Sequence, residues 1–463
     1  MDGLTASVEK MRREGLPEPA IATFGFYYEQ LVSGETGMVA EDEIEPLTDV
    51  ADADRLPDDD AAGVIDQAVV IRLNGGLGTS MGMTRAKSLL PVKEGLTFLD
   101  VIARQVLALR RSSGARLPLV LMNSFYTRAD SLAALERHPE LASDVPADFT
   151  QHKEPKIRVD DLQPVEWPAD PSKEWCPPGH GDIYTALLTS GMLEELITKG
   201  YRYAFIANSD NLGAVLEPKL LAWFAATGAP FASEVTDRTP ADRKGGHVAR
   251  RRDGGLVLRE TAQTRPEDMD AFTDVDRHRY FNCNNLWVDL RALQIVLAER
   301  DEVLGLPMIV NEKTVDPTDK SSPAVYQLET AMGAAIDVFA GARALRVPRR
   351  RFLPVKTTND LLVMRSDAYE LTPDGVMELA GEREGGAPLV FLDDKFFKLV
   401  GDFESRFPAG APSLVGCERL TVRGDVTFGR GVVCRGAVEI DGPAELEDGS
   451  VVEGSRPVTE PAA

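Results

Sequence analysis

The sequence predicts an α/β protein: a mostly parallel sheet with helices on both faces, followed by a small β-rich C-terminal domain. Three observations predict it. Short apolar, β-branched runs end in polar loops at "AVVIRLN", "PLVLMNS" and "YRYAFIANSDN". Stretches with apolar residues at helical spacing alternate with these runs, which implies crossover helices and parallel strands. From about residue 411 the texture changes to apolar β-formers every five to seven residues, separated by Gly or Asp-Gly.

Residues 1 to about 60 read as helical, then as an acidic linker or solvated loop at "EDEIEPLTDVADADRLPDDD". "AVVIRLN" reads as a buried parallel strand. "FLDVIARQVLALRRSSG" is a helix with a glycine stop, and "PLVLMNS" is the next strand. "RADSLAALERHPE" and "LEPKLLAWFAATG" continue the helices, on either side of the strand in "YRYAFIANSDN". "PDG" and "GEREGG", between 370 and 395, mark a boundary. The expected organisation is therefore 1–60, 61–370 and 371–463. The last part resembles β-helix rungs, with irregular small hairpins as the alternative. Such a coil stacks readily on a second copy, so a homo-oligomer through it is an expectation.

Bulk properties exclude several classes. The 463 residues, 43% apolar and 27% charged, describe an ordinary globular protein. No run of about 18 apolar residues is present, and the N-terminus has no secretory core, so a cytoplasmic protein is expected. A net charge of −23 opposes nucleic-acid binding. Cys176, Cys283, Cys417 and Cys434 form no CxxC pair, so neither a zinc site nor a disulfide framework is indicated.

The most informative stretch is "LNGGLGTSMGMTRAK", residues 73–87. Glycines after a strand let backbone N–H groups approach a phosphate with no Cβ in the way. The spacing fits neither common phosphate loop. Gly82 comes one residue too late for GxGxxG after Gly76 and Gly78, which disfavours a dehydrogenase. Met81 and Ala86 stand where a GxxxxGK loop needs glycine. A tight turn explains one or two glycines but not Gly75, Gly76, Gly78 and Gly82 together.

This loop and its lysine resemble the signature of eukaryotic-type UTP–glucose-1-phosphate uridylyltransferases, the UDP-glucose pyrophosphorylases. The likeness continues in order through "EWCPPGHGDIY", "NSDNLG", "TDRTPADRKGGHVA", "FNCNNLW", "QLETAMGAAI" and "RFLPVKTTNDLL". One departure stands out: the family has Gly-Pro before the first lysine, and this chain has Arg85-Ala86. The resemblance implies a Rossmann-like nucleotidyltransferase sheet and a C-terminal left-handed β-helix. It implies metal-assisted in-line transfer of UMP from UTP to glucose 1-phosphate, with Mg²⁺ as cofactor. Attacker and target are both anions, so the task is neutralisation and alignment.

By the same resemblance, Leu73, Asn74, Gly75 and Gly76 hold nucleotide, and Gly75 and Gly76 also border the substrate. Lys87 and Lys356 are the phosphate lysines and carry the catalysis. Asp210 is the metal ligand, with Asn208 and Ser209 beside it on the substrate. Asn-Ser-Asp-Asn is also ordinary turn chemistry. Gln151 and Gly179 match positions at the uracil, and His180 one at the substrate. Asn282, Asn284 and Glu260 match sugar-hydroxyl positions; a plain loop is the alternative for the asparagines. Arg250–Arg252 and Arg349–Arg351 read as solvated faces. Two other functions stay open at this point: a pyrophosphorylase for another sugar 1-phosphate, and a non-catalytic nucleotide-binding protein.

Overall fold

A computed structural model describes residues 2–58, 61, 63–239, 242–383 and 385–456. Asp59, Asp60 and Ala62 of the acidic stretch and its end, Pro240 and Ala241 of the "TDRTPADRKGGHVA" motif, Glu384 of the glycine-rich boundary and residues 457–463 lie outside the described residues.

Among the described residues the main sheet has eleven strands. Across it the order is Ala51–Asp52, Arg343–Arg346, Phe231–Asp237, Tyr280–Asp289, Tyr203–Asn208, Ala68–Asn74, Leu119–Asn123 and Asp148–Thr150. Every pairing along this path is parallel except the two made by Tyr280–Asp289. The strand Ala68–Asn74 shows why such runs read as continuously apolar. Val70 packs on one face with Phe98, Leu121 and Phe205. Val69 and Ile71 pack on the other with Ile183, Leu187 and Leu196. Both faces are therefore covered by helices. Phe98–Ser113 starts at a capping box between Thr97 and Asp100 and ends at Gly114, whose φ of 72° is left-handed.

Arg72 is the exception inside that strand. Its guanidinium is buried against the Ala214 carbonyl and over the Phe205 ring. Burial, with Arg351 nearby, lowers its pKa to about 9.

The acidic stretch is docked, which differs from the solvated reading. Ile44–Pro46 pairs antiparallel with His247–Arg251, and Ala51–Asp52 pairs with Arg343–Arg346. Glu41 binds Arg259, Arg277 and His278 together. Behind it, the rings of His278 and His247 stack with centroids 4.0 Å apart. Both His247 nitrogens are buried and lack a hydrogen-bond partner among the described residues. Burial, with His278, Arg238 and Arg259 adding to it, drives the His247 pKa well below normal. The depressed pKa fixes the sign of a pH effect: the unfolded chain takes up this proton near pH 6.5, and the folded chain does not. Stability is therefore complete above that pH and declines as pH falls toward the folded value. Between pH 7.5 and 5.5 this one group costs on the order of 1 kcal/mol. His247→Phe should lose that much less stability across the interval, as read from urea unfolding at the two pH values. Equal losses in both proteins would refute it.

The C-terminal part has parallel strands in the order Leu389–Leu392, Cys417–Arg423, Val433–Asp441 and Val451–Arg456, with Val426–Phe428 paired to Ala444–Leu446. Leu420↔Val438, Val426↔Ala444 and Val433↔Val451 each join residues 18 apart (438 − 420, 444 − 426, 451 − 433). The apolar interior of this part is continuous with the core beneath the main sheet.

Candidate functional site

Ala68–Asn74 and Tyr203–Asn208 run parallel with Leu73 opposite Asn208. Their following loops therefore leave one edge together, where open α/β sheets hold ligands. The first loop keeps its backbone bare for two reasons. A Cβ on Gly75 would lie 2.7 to 2.9 Å from the Gln151 amide atoms, so the amide rests on the glycine. Gly76 has nothing within 4 Å of such a Cβ and faces open space. The loop then curls back through Gly78 and Gly82, at φ 67° and 74°, and the Lys87 N–H donates to the Gly76 carbonyl at 3.0 Å.

Ala86 has φ −52°, inside the range a proline imposes, and is fully buried. The departure at Arg85-Ala86 thus leaves Lys87 well placed. Its Nζ donates to Asp210 Oδ2 at 2.8 Å and to the Val355 carbonyl. Lys356 reaches the same carboxylate, 3.1 Å from Oδ2 and 3.5 Å from Oδ1. Two ammonium groups against one carboxylate leave one positive charge in excess, in a chain of net −23. Burial pushes the Asp210 pKa up, but Lys356 and Lys87 outweigh it and hold the carboxyl below its ordinary value.

The backbone around the two lysines is fixed independently of ligand. Val355 N–H donates to the Asp210 carbonyl at 3.1 Å. The N–H groups of Lys356 and Thr357 both donate to Asp360 at 2.8 Å, at the start of the helix Thr358–Arg365. The Lys356 side chain remains 57% exposed against 16% for Lys87, so Lys356 is free to move and Lys87 is held.

Gly179 and His180 approach from another direction. Gly179 has φ 79°, and a Cβ there would lie 2.5 Å from the Thr330 carbonyl. His180 Nδ1 accepts from the Met332 N–H at 2.9 Å, which leaves its proton on Nε2. Burial and the nearby Lys356 lower its pKa to about 4, so it is a neutral donor. Met332 leads into Gly333, whose missing Cβ makes room for Asn282 Nδ2 and Asn284 Oδ1. These two amides bond each other at 3.0 Å. They meet because the strand carries a register shift opposite Ser233 and Val235, with Asn284 at φ 54°. Asn282 N–H donates to the Gly246 carbonyl, and the Glu260 carboxylate lies against Gly246 on its other side. Burial raises the Glu260 pKa.

Contacts thus run from Gln151 to Gly75, from Gly76 to Lys87, from both lysines to Asp210, and from His180 through Met332 and Gly333 to Asn282 and Asn284, with Glu260 beside Gly246. The remaining candidates offer backbone more than side chain. The Asn74 amide turns inward to Asn123 and Ser131 at 2.7 Å each. Ser209 N–H donates to the Leu73 carbonyl at 3.2 Å, and the Ser209 hydroxyl is buried. Asn208 uses its carbonyl on Arg72.

Several supporting residues escaped the sequence reading. Arg351 is 1% exposed and pairs through two nitrogens with Glu234, which also accepts from Asn285 and Trp287. Asn211 accepts from the N–H groups of Gly213 and Leu353 and donates to Asn285. This network fixes the chain on both sides of Asp210 and Lys356. The arginine runs are therefore not merely solvated faces: Arg349 grips Asp242 and Arg251 grips Asp337, each through two bonds. The one available signal was an arginine run, in an acidic chain, leading into the apolar "FLPV".

Among the described residues no group of three or more His, Cys, Asp or Glu side chains could hold a metal by itself. A single carboxylate suits Mg²⁺, which commonly takes one or two carboxylates and completes its shell with water and substrate phosphates. Among the described residues Asp210 Oδ1 has only the long 3.5 Å contact to Lys356, so it keeps lone pairs for a cation. The donor set thus fits a cation that arrives with a triphosphate.

Comparison with known proteins identifies the family. The family model for UTP–glucose-1-phosphate uridylyltransferase matches residues 21–435. A UTP–glucose-1-phosphate uridylyltransferase of Hordeum vulgare is 39% identical over 465 residues, covering 98% of this chain and 96% of its own length. A single-site mutant of the Leishmania major UDP-glucose pyrophosphorylase, solved in complex with UDP-glucose, superimposes with TM-score 0.92 at 43% identity, covering 98% of this chain and all of its own. Structures of the same enzyme in open and closed forms give TM-score 0.92 at 44% identity, with coverages of 98% and 99%.

Proposed function

The chain belongs to the UTP–glucose-1-phosphate uridylyltransferase family, and from that premise we infer that it transfers UMP from UTP to glucose 1-phosphate, releasing pyrophosphate and UDP-glucose. The observation that carries the mechanism is the meeting of Lys87 and Lys356 on Asp210, beside the open backbone of Gly76. Two anions must be brought together there. Ammonium groups and bare N–H groups lower their repulsion, and no covalent intermediate is required.

In this reading Leu73 to Gly76 and Gln151 hold the nucleotide, and the Gln151 amide pairs with the uracil edge. Gly179 supports the base from the other side. Lys87 anchors the triphosphate, and Lys356 follows the charge that develops on the transferring α-phosphoryl group. His180 donates its Nε2 proton as a neutral hydrogen-bond donor; the attacking phosphate is already ionised and needs no base. Asn282, Asn284 and Glu260 bind the glucose hydroxyls, aided by backbone at Asn208 and Ser209. Asp210, with the substrate phosphates, would hold Mg²⁺, which would supply further charge neutralisation.

The C-terminal coil is read as a left-handed β-helix, supported by its 18-residue repeat. Leu389 and Phe391 are exposed on its outer strand, which supports pairing with a second copy. Four free, buried cysteines suit a reducing cytoplasm.

Pyrophosphate release tests the function, measured for UTP, CTP and ATP against glucose 1-phosphate, galactose 1-phosphate and N-acetylglucosamine 1-phosphate. UTP with glucose 1-phosphate should give the highest kcat/KM. Absence of pyrophosphate from every pair would overturn catalysis.

A further inference from the structure

We propose that His152 is a positioning residue that latches the base-side loop to the His180 turn and thereby sets recognition of the nucleotide base. The inference rests on the reading of Gln151 as the uracil contact. Gln151 and His152 follow the edge strand Asp148–Thr150, whereas Gly179 and His180 belong to a separate segment docked on the strand Ala324–Thr330. The two sides of the base site are thus carried by different parts of the chain, and one side chain spans them directly.

That side chain is His152. Its backbone N–H donates to Asp182 Oδ2 at 2.6 Å, and its ring Nδ1 lies 2.8 Å from Asp182 Oδ1. Asp182 closes the turn His180–Asp182 and leads into the helix Ile183–Thr189. Facing a carboxylate, Nδ1 must carry a proton. The far ring nitrogen, Nε2, is 2.9 Å from the Thr189 hydroxyl, so the ring is held at both ends. Both the histidine and aspartate side chains are over nine-tenths buried. Two donors on one shielded carboxylate fix distance and orientation together. Meanwhile Gln151, the preceding residue, is tied by its N–H to the Asn123 carbonyl at 2.8 Å, with its amide on Gly75. Releasing the ring therefore frees the Gln151 amide to drift relative to Gly179 without altering the lysine centre.

The test compares His152→Leu, which removes the ring donor, with His152→Asn, whose amide can donate from nearly the same place. For His152→Leu, KM for UTP should rise about tenfold and the UTP-over-CTP ratio of kcat/KM should fall by a similar factor. KM for glucose 1-phosphate and kcat should stay within about twofold. His152→Asn should restore most of the ratio. A purely structural role would lower the urea midpoint and affect both substrates alike, leaving the ratio unchanged; that result overturns the latch, as does failure of His152→Asn to restore it. Thr189→Val, which removes the hydroxyl at the far end of the ring together with its bond to the Thr185 carbonyl, covers the case in which His152→Leu does not fold: an unchanged UTP KM there counts against the proposal. Gln151→Ala separates the two levels. If it leaves the ratio untouched, the base-side reading falls and the latch with it. If it shifts the ratio while His152→Leu does not, the latch alone falls.

Discussion

Replacing Lys356 by alanine is expected to lower kcat by about 10²- to 10³-fold, the cost of losing one well-placed donor to a developing charge. KM for UTP and glucose 1-phosphate should change far less. The expectation follows from the difference between the two lysines. Lys87 is largely buried and committed to both Asp210 and the Val355 carbonyl, so in the proposed mechanism it would act as fixed scaffolding for bound phosphate. Lys356 has a mostly exposed side chain on a backbone locked by Asp360, with one partner at 3.1 Å. It can leave that partner as charge moves toward the transferring phosphoryl group, so its contribution is larger in the transition state than in the ground state. Because its side chain is exposed, the substitution should shift unfolding free energy by no more than about 0.5 kcal/mol. Steady-state pyrophosphate release and urea unfolding on one preparation provide both numbers. Turnover near the wild-type value would show that Lys356 does not act on the reacting group.

Much of this arrangement is legible in the sequence, because its signals are local. A glycine cluster after a β-branched run leaves backbone open to close approach, and nothing among the described residues lies within 4 Å of where a Cβ on Gly76 would stand. Parallel alternation places the "LNGG" and "NSDN" loops on one edge, as the pairing of Leu73 with Asn208 shows. What could not be read depends on partners far along the chain. Arg351 becomes a buried anchor only because Glu234, 117 positions away, lies opposite it. Glu41 looks like one more surface acid until Arg259 and His278 close on it. The amide of Asn74 sits beside the phosphate loop in sequence, yet strand alternation turns it toward Asn123 and Ser131. The bulge that brings Asn282 and Asn284 together likewise leaves no mark a single sequence can display.

Asp210→Asn separates the observed role of the carboxylate, counter-ion to the lysines, from the one we propose for it, ligand to a divalent cation. The substitution keeps the shape and removes the charge. With no metal present it takes one negative charge out of an anion site that already holds two ammonium groups, so UTP should bind as tightly as to the wild type or more tightly. With metal the outcome reverses. A neutral amide is a poorer ligand for a hard cation, and the Mg²⁺ concentration giving half-maximal rate should rise about tenfold or more. Maximal turnover should also fall, because Lys356 loses the partner that holds it near the phosphates between cycles. Calorimetric titration with UTP in EDTA, paired with a Mg²⁺ titration of the rate, reads the two effects separately. An unchanged Mg²⁺ titration would remove Asp210 from the metal site. A loss of metal-free UTP binding would show instead that the carboxylate's main task is to hold Lys87 and Lys356 in place. The opposite signs give the experiment its discrimination, since general damage to the site would weaken both.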